Sequence, residues 1–315
     1  FPLMGVNLRR LPEPFTRPER RKDPTVSNPI DRTFAPEKPS VAAILLGTVA
    51  LAVVLVLSGL MVCTLPGSTW LLSSAFSDDE LSPYTRHELV VAALATRDYT
   101  VGSHDRKALQ DTLDTLESNL AASLDTTVKD ASGKESSQSE RTTKALADGA
   151  IAHDSSADNS SSNSSSIIAF GEKTTLPEDA LSHLDDVWRV LQPVYALYIL
   201  AVAIAAASAW QVSRAWNSPL VRRALGRALL AVGTVVLTAF LAFGVWAILD
   251  FNGLFALLHS LFFAEGTWTF SYESLLICMY PLPFWMGMGV IWLAVTVAGC
   301  AGCIAYGKRL ATHAR

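Results

Sequence analysis

Residues 41–63 read VAAILLGTVALAVVLVLSGLMVC, twenty-three positions without an Asp, Glu, Lys or Arg. At 1.5 Å per residue, a helix of that length spans a hydrocarbon layer of about 30 Å. Twelve of residues 41–60 are Leu, Ile or Val, each worth roughly −0.3 to −0.6 kcal/mol at a helix centre in the bilayer. No charge offsets that gain, so the stretch is expected to be an uncleaved membrane anchor. The rival, a cleaved signal peptide, would need a forty-residue leader ahead of the apolar run, too long for an ordinary charged n-region.

Working outward, the windows 190–210, 228–249 and 284–306 are equally free of charged side chains. They account for a chain of 315 residues that is 50% hydrophobic and only 17% charged, where soluble domains carry about 25% charged residues. The pattern predicts an all-α membrane protein: four transmembrane helices, an extracytoplasmic helical cap, and a re-entrant or interfacial segment. It excludes a soluble α/β enzyme and a β-barrel. A net charge of −4, with acid and base segregated, argues against a nucleic-acid partner.

The segregation also predicts orientation. Residues 1–40, 211–227 and 307–315 together hold fifteen basic and five acidic side chains, whereas 64–189 and 250–283 hold ten basic and twenty-four acidic. By the positive-inside rule both termini face the cytoplasm. The expected organisation is a disordered basic tail over 1–40, spans at 41–63, 190–210, 228–249 and 284–306, and an extracytoplasmic segment over 64–189. A cytoplasmic loop at 211–227, an outer interfacial segment at 250–283 and a cytoplasmic tail at 307–315 complete it. In the first tail Arg9, Arg10, Arg17, Arg20, Arg21 and Lys22 lie among four prolines, the composition of an unfolded basic arm beside anionic lipid.

Within 64–189, residues 78–120 read as helical, with a capping box from Thr85 to Glu88 ahead of Leu89-Val90-Val91-Ala92-Ala93-Leu94. Residues 131–166 have hardly any large apolar side chain, too little to offset the entropy of ordering, and are expected to be a disordered Ser-rich insertion. Cys300 and Cys303 lie beside Gly299 and Gly302 inside the last span, a small-residue pattern that lets another helix pack closely. Cys63 and Cys278 carry no sequence evidence of pairing.

Two stretches place polar groups where an apolar chain has no structural need of them. In Thr175-Leu176-Pro177-Glu178-Asp179-Ala180-Leu181-Ser182-His183-Leu184-Asp185-Asp186-Val187-Trp188, Thr175 and Glu178 suggest a capping box and a helix running on into the second span. Asp179, His183 and Asp186 then share a face at i, i+4 and i+7. In Asp250-Phe251-Asn252-Gly253-Leu254-Phe255-Ala256-Leu257-Leu258-His259-Ser260-Leu261-Phe262-Phe263, Phe255 and His259 share a face at i, i+4. That segment is too short to cross the bilayer and too apolar for water, so it belongs in the interface or re-enters the outer leaflet. The aromatics of Gly266-Thr267-Trp268-Thr269-Phe270 suit a membrane interface.

These residues resemble the bacterial lipoprotein intramolecular transacylases, four-helix proteins of mostly Gram-positive membranes. The resemblance rests on Tyr84-Thr85 with Glu88, on Leu181 to Val187, and most strongly on Phe251, Phe255, His259 to Phe263 and Trp268-Thr269-Phe270, with Tyr280-Pro281 and Phe284-Trp285 extending it. It implies transfer of the sn-2 acyl chain of a diacylglyceryl lipoprotein onto the α-amino group of its own N-terminal cysteine, with no cofactor and with membrane lipids and diacylated lipoproteins as partners. The family's two essential histidines fall on His183 and His259. Phe251, Phe255, Trp268 and Phe270 then line the acyl chains. The Ser-rich insertion and the long basic tail are not typical of the family.

The chemistry is consistent with that reading. An α-amino group with a pKa of about 7.7–8.0 is mostly ammonium at neutral pH, so a base must take its proton before it attacks an ester. Histidine suits that work, and the second imidazole suits the oxyanion or the leaving oxygen. Asp186, or Asp185, is the candidate for orienting His183. No Gly-x-Ser-x-Gly elbow occurs, which favours direct attack by the amine. A transporter would ordinarily carry an ionisable residue within a span, and the windows have none. No His-x₃-His or Glu-x-x-His spacing supports zinc. A non-enzymatic membrane scaffold or sensor remains the alternative, separated from an enzyme by whether His183 and His259 converge. With the native cysteines replaced, single cysteines at positions 165 and 269 are expected to react with a membrane-impermeant thiol reagent in intact cells and one at 217 is not; labelling at 217 reverses the orientation.

Overall fold

The structure is a computed structural model that describes residues 41–146 and 171–312. The basic tail expected over 1–40 and the Ser-rich residues 147–166 lie outside the described residues. Among the described residues ten helices follow one another: α1 Val41–Cys63, α2 Pro66–Phe76, α3 Arg86–Val101, α4 Arg106–Leu146, α5 Gly171–Thr174, α6 Glu178–Arg214, α7 Pro219–Leu249, α8 Phe251–Phe262, α9 Leu275–Met279 and α10 Leu282–Thr312. α1, α6, α7 and α10 are long and apolar enough to cross a membrane, and the chain is a multi-pass, all-α membrane protein.

One stretch differs from the sequence expectation. Residues 131–146, read as part of a disordered insertion, continue α4. The run from Arg106 to Leu146 contains no proline and many Lys, Glu, Gln, Arg and Ala. Once the helix has nucleated, such residues propagate it without an apolar face to bury.

Between spans there is no hydrophobic drive in lipid, so close approach and hydrogen bonds do the work. A Cβ on Gly307 of α10 would stand 2.8 Å from the Gly226 carbonyl oxygen of α7, and one on Gly233 would stand 3.0 Å from the Cys300 carbonyl. Cys300 is fully buried in that seam, in keeping with the packing role read from the sequence. Gly302 is different: nothing lies within 4 Å of its missing side chain. α10 is tied to α1 by the Trp292 indole N–H, which donates to the Val56 carbonyl at 2.7 Å, and by the Thr296 hydroxyl, which donates to Leu55 at 3.3 Å. All four cysteines are free thiols, Cys63 lying 3.3 Å from the Met288 carbonyl and Cys278 3.8 Å from that of Tyr272.

Above the spans a compact cap forms. α3 opens with the expected capping box: the Glu88 N–H donates to Thr85 Oγ1 and the Thr85 N–H donates to the Glu88 carboxylate at 2.8 Å. Leu89, Ala92 and Ala93 of α3 are fully buried in one cluster with Leu181 and Leu184 of α6 and Leu275 and Met279 of α9. The Arg97 guanidinium donates to the Thr64 carbonyl just past the end of α1, and the Thr64 and Ser68 hydroxyls satisfy the carbonyls of Met61 and Val62, so this helix terminus is closed by side chains.

The start of α6 corrects a second expectation. The box from Thr175 to Glu178 does not form; Pro177 holds the N-cap with extended backbone and no side-chain cap. The helix therefore starts too late for Glu178 to reach back three residues, and its carboxylate pairs instead with Arg106 of α4. Gly307→Val is expected to destabilise the α7–α10 seam by about 1–3 kcal/mol through overpacking, whereas Gly302→Ala should leave stability unchanged or slightly raised; thermal unfolding of the two variants in detergent checks the contrast.

Candidate active site

α8 owes its position to its first residue before the helix. Asp250 caps it, accepting a hydrogen bond from the Gly253 N–H at 2.8 Å. Any Cβ at 253 would collide with that carboxylate, so the cap needs glycine there. The helix that follows stacks Phe251, Phe255 and His259 one turn apart, with ring centroids 6.0 Å and 3.9 Å apart in succession. Its other side leaves Leu257, Leu258, Leu261 and Phe262 exposed, an apolar surface for lipid.

His183 rides on the second turn of α6, where the buried cluster of α3 and α9 fixes the helix. Its imidazole is buried and lies 6.2 Å from that of His259, centroid to centroid and nearly stacked. Phe263 is set edge-on to His183 at 4.8 Å and lies 5.7 Å from His259. Phe270 approaches His183 at 5.7 Å. Trp268 approaches His259 at 5.0 Å and Phe255 at 6.4 Å. The structure thus gathers His183, His259, Phe251, Phe255, Trp268 and Phe270 into one aromatic cluster.

The two imidazoles are not equivalent. His259 Nδ1 lies 2.8 Å from the Phe255 carbonyl, which can only accept, so Nδ1 carries the proton and Nε2 keeps its lone pair. Burial lowers the His259 pKa from its ordinary value, opposed by that hydrogen bond. His183 Nδ1 is buried with no hydrogen-bond partner, as is the Trp268 indole nitrogen. An unmet buried polar group costs about 1–3 kcal/mol, and in a native fold such groups mark places where a substrate or water completes the set.

The carboxylates stand elsewhere. In place of the orienting contact expected of Asp186, its carboxylate accepts from Arg189 at 2.7 Å, one helical turn on. An exposed guanidinium at i+3 competes for that carboxylate at little desolvation cost, and the pair stays in solvent. Asp185 accepts from the Tyr99 hydroxyl and lies 3.7 Å from His104 Nε2. His104, at a positive φ of 57°, is sandwiched between Tyr99 at 4.6 Å and Trp188 at 4.3 Å. Burial, with the Asp185 hydrogen bond second, pushes the Tyr99 phenol up to about 12, so this clasp between α3 and α6 keeps its donor at neutral pH.

Three contributors were not assigned to the site from the sequence, although Phe263 and Trp285 lie in the stretches that carry the resemblance. Phe263 continues the i, i+4 series from Phe255 and His259, a signal that was present. Trp285, 5.8 Å from Phe255, and the Tyr99–His104–Trp188 stack come from distant segments with no shared periodicity. Among the described residues no third His, Cys, Asp or Glu joins the imidazoles as a metal-ligand set.

Residues 160–285 match the family model described as lipoprotein intramolecular transacylase Lit. The match takes in both histidines and the aromatic cluster, and the family read from the residues is the one whose model fits. No curated protein matches the chain. Among solved structures, the membrane integral lipoprotein intramolecular transacylase Lit from Bacillus cereus is similar, with a TM-score of 0.55 and 13% identity over 86% of this chain and 95% of that one. At that identity the likeness is one of fold. A structure of the same protein bearing a histidine-to-arginine substitution gives a TM-score of 0.49 and 14% identity over 86% and 92% of the two chains.

Because desolvation disfavours the cation, His259 is expected to stay neutral as the pH falls through about 6.5, the ordinary histidine value. ¹⁵N-histidine NMR in detergent, assigned with His259→Gln, is expected to show Nδ1–H and a midpoint below that of free histidine. A midpoint at or above it removes the buried neutral base.

Proposed function

We infer that this chain, placed in the lipoprotein intramolecular transacylase family by residues 160–285, moves the sn-2 acyl chain of a diacylglyceryl lipoprotein onto the α-amino group of the lipoprotein's own N-terminal cysteine. The chain is a membrane acyltransferase of that family; the positions exchanged, the roles of the histidines and the outward-facing site are our reading. One observation carries it: the imidazoles of His183 and His259 lie 6.2 Å apart inside an aromatic cluster beside a lipid-facing apolar helix. At that separation an ester at the edge of the pair can be approached by a nitrogen of each ring, the reach of about 3 Å that proton transfer needs. A scaffold has no use for that convergence.

The reaction closes without water or redox chemistry. The amine nitrogen forms a bond to the ester carbonyl carbon and gives its proton to His259 Nε2, whose lone pair is left free because Nδ1–H donates to the Phe255 carbonyl. The bond to the glyceryl oxygen breaks and that oxygen takes the same proton back from His259, which returns to its neutral form. His183, neutral and with its Nδ1 unpartnered, is suited to hydrogen-bond the leaving oxygen and relay that proton to it. A base of this kind contributes about 10²–10⁴-fold. The apolar walls of Phe251, Phe255, Trp268 and Phe270 hold acyl chain and exclude water that would hydrolyse the ester. Asp186, bound to Arg189, acts on His183 through its field rather than through a hydrogen bond. The charge count supports an extracytoplasmic site with cytoplasmic termini.

His183→Ala and His259→Ala are each expected to abolish formation of the lyso-form lipoprotein at normal membrane abundance, with Phe255→Leu milder. Mass spectrometry of lipoprotein N-termini, from cells expressing each variant, reads the outcome. Full activity in either histidine variant defeats the two-histidine mechanism.

A further inference from the structure

Trp268 is half-buried in the aromatic cluster. Its indole N–H can only donate, and it is covered and unpartnered. No neighbouring ring satisfies it: Phe255 has no acceptor, and the free Nε2 of His259 is not its partner. The loop that carries the indole is held firmly. The Thr267 N–H and hydroxyl both donate to the Ala264 carbonyl, at 3.2 and 2.8 Å, and Gly266 takes the positive φ of 84° that the turn requires. The side chain is thus aimed by an ordered turn at the imidazole that serves as base, 5.0 Å away, with its polar edge left without a partner of the protein's own.

Resting on the acyl-transfer reading above, we propose that the Trp268 N–H is the hydrogen-bond donor to the ester carbonyl oxygen of the substrate as that oxygen becomes an oxyanion. When the amine lone pair forms the new bond to carbon, the carbonyl π pair moves onto oxygen, where the indole meets it. The pair returns as the bond to the glyceryl oxygen breaks, and Trp268 keeps its proton throughout. A neutral donor fixed in advance in a water-excluded site stabilises such charge far better than a donor in water does. It also leaves the acid–base work to the histidines.

The test uses the full chain in vesicles with a diacylated lipopeptide, scoring lyso product by mass spectrometry. Trp268→Phe is compared with incorporation of benzothienylalanine at 268, which keeps the bicyclic shape and replaces the N–H by sulfur. Both are expected to lower kcat about 10²-fold with KM near that of the unaltered chain. The isostere is expected to melt no lower than the unaltered chain, because the donor it removes has no partner in the free protein. A kcat within twofold for the isostere, or a kcat loss that tracks a loss of thermal stability, overturns the assignment. His183→Ala and His259→Ala in the same assay separate the two failures: if they lose transfer and the isostere does not, only the role of Trp268 falls. If they retain transfer, or the unaltered chain has none, the acyl-transfer mechanism itself falls and the proposal with it.

Discussion

The packing of α3 and α9 against the first turns of α6 is the constraint on which the rest of the structure depends. α6 is 37 residues long, far more than the roughly 20 a bilayer needs, and its surplus projects into the cap. Leu89 and Leu275 are fully buried there, with Leu181 and Leu184 of α6 among them, each such side chain contributing about 1.5–3 kcal/mol. The fully buried Ala92 and Ala93 bring backbone within reach of the Tyr280 hydroxyl, which donates to the Ala93 carbonyl. Polar ties at the rim, Arg106 to Glu178 and Tyr99 to Asp185, fix the rotation of α6. His183 points at His259 because that rotation is fixed.

α8 meets this arrangement from the other side by different physics. A helix of twelve residues is too short to cross a bilayer, so it divides its surface between lipid and the aromatic cluster. The Asp250 cap satisfies one of its free backbone donors. In such surroundings desolvation disfavours the charged form of His259. Trp268 Nε1 and His183 Nδ1 are covered and have no partner among the described residues, so the cluster carries unmet hydrogen-bonding capacity.

Two departures from local reading have local causes. Proline at 177 delays the start of α6 and frees Glu178 for Arg106, where the motif alone suggested a capping box. Residues 131–146 lack apolar surface yet extend α4, because helix propagation needs only compatible residues behind an existing nucleus. In each case a one-dimensional pattern was outweighed by what the neighbouring segment had already committed to.

The sequence by itself determined the four spans, the helical cap, the short apolar helix and the two histidines. Transfer of an uncharged twenty-residue run into lipid depends on composition alone, and an i, i+4 face depends only on helix geometry. What only the tertiary structure decided is the meeting of those histidines, 76 positions apart in the chain, together with the stack of His104 between Tyr99 and Trp188, the arrival of Trp285 on Phe255 and the diversion of Asp186 to Arg189. No periodicity encodes such contacts. They arise where separate helices are locked in rotation by a shared core, and they bring two imidazoles from distant segments into one aromatic cluster.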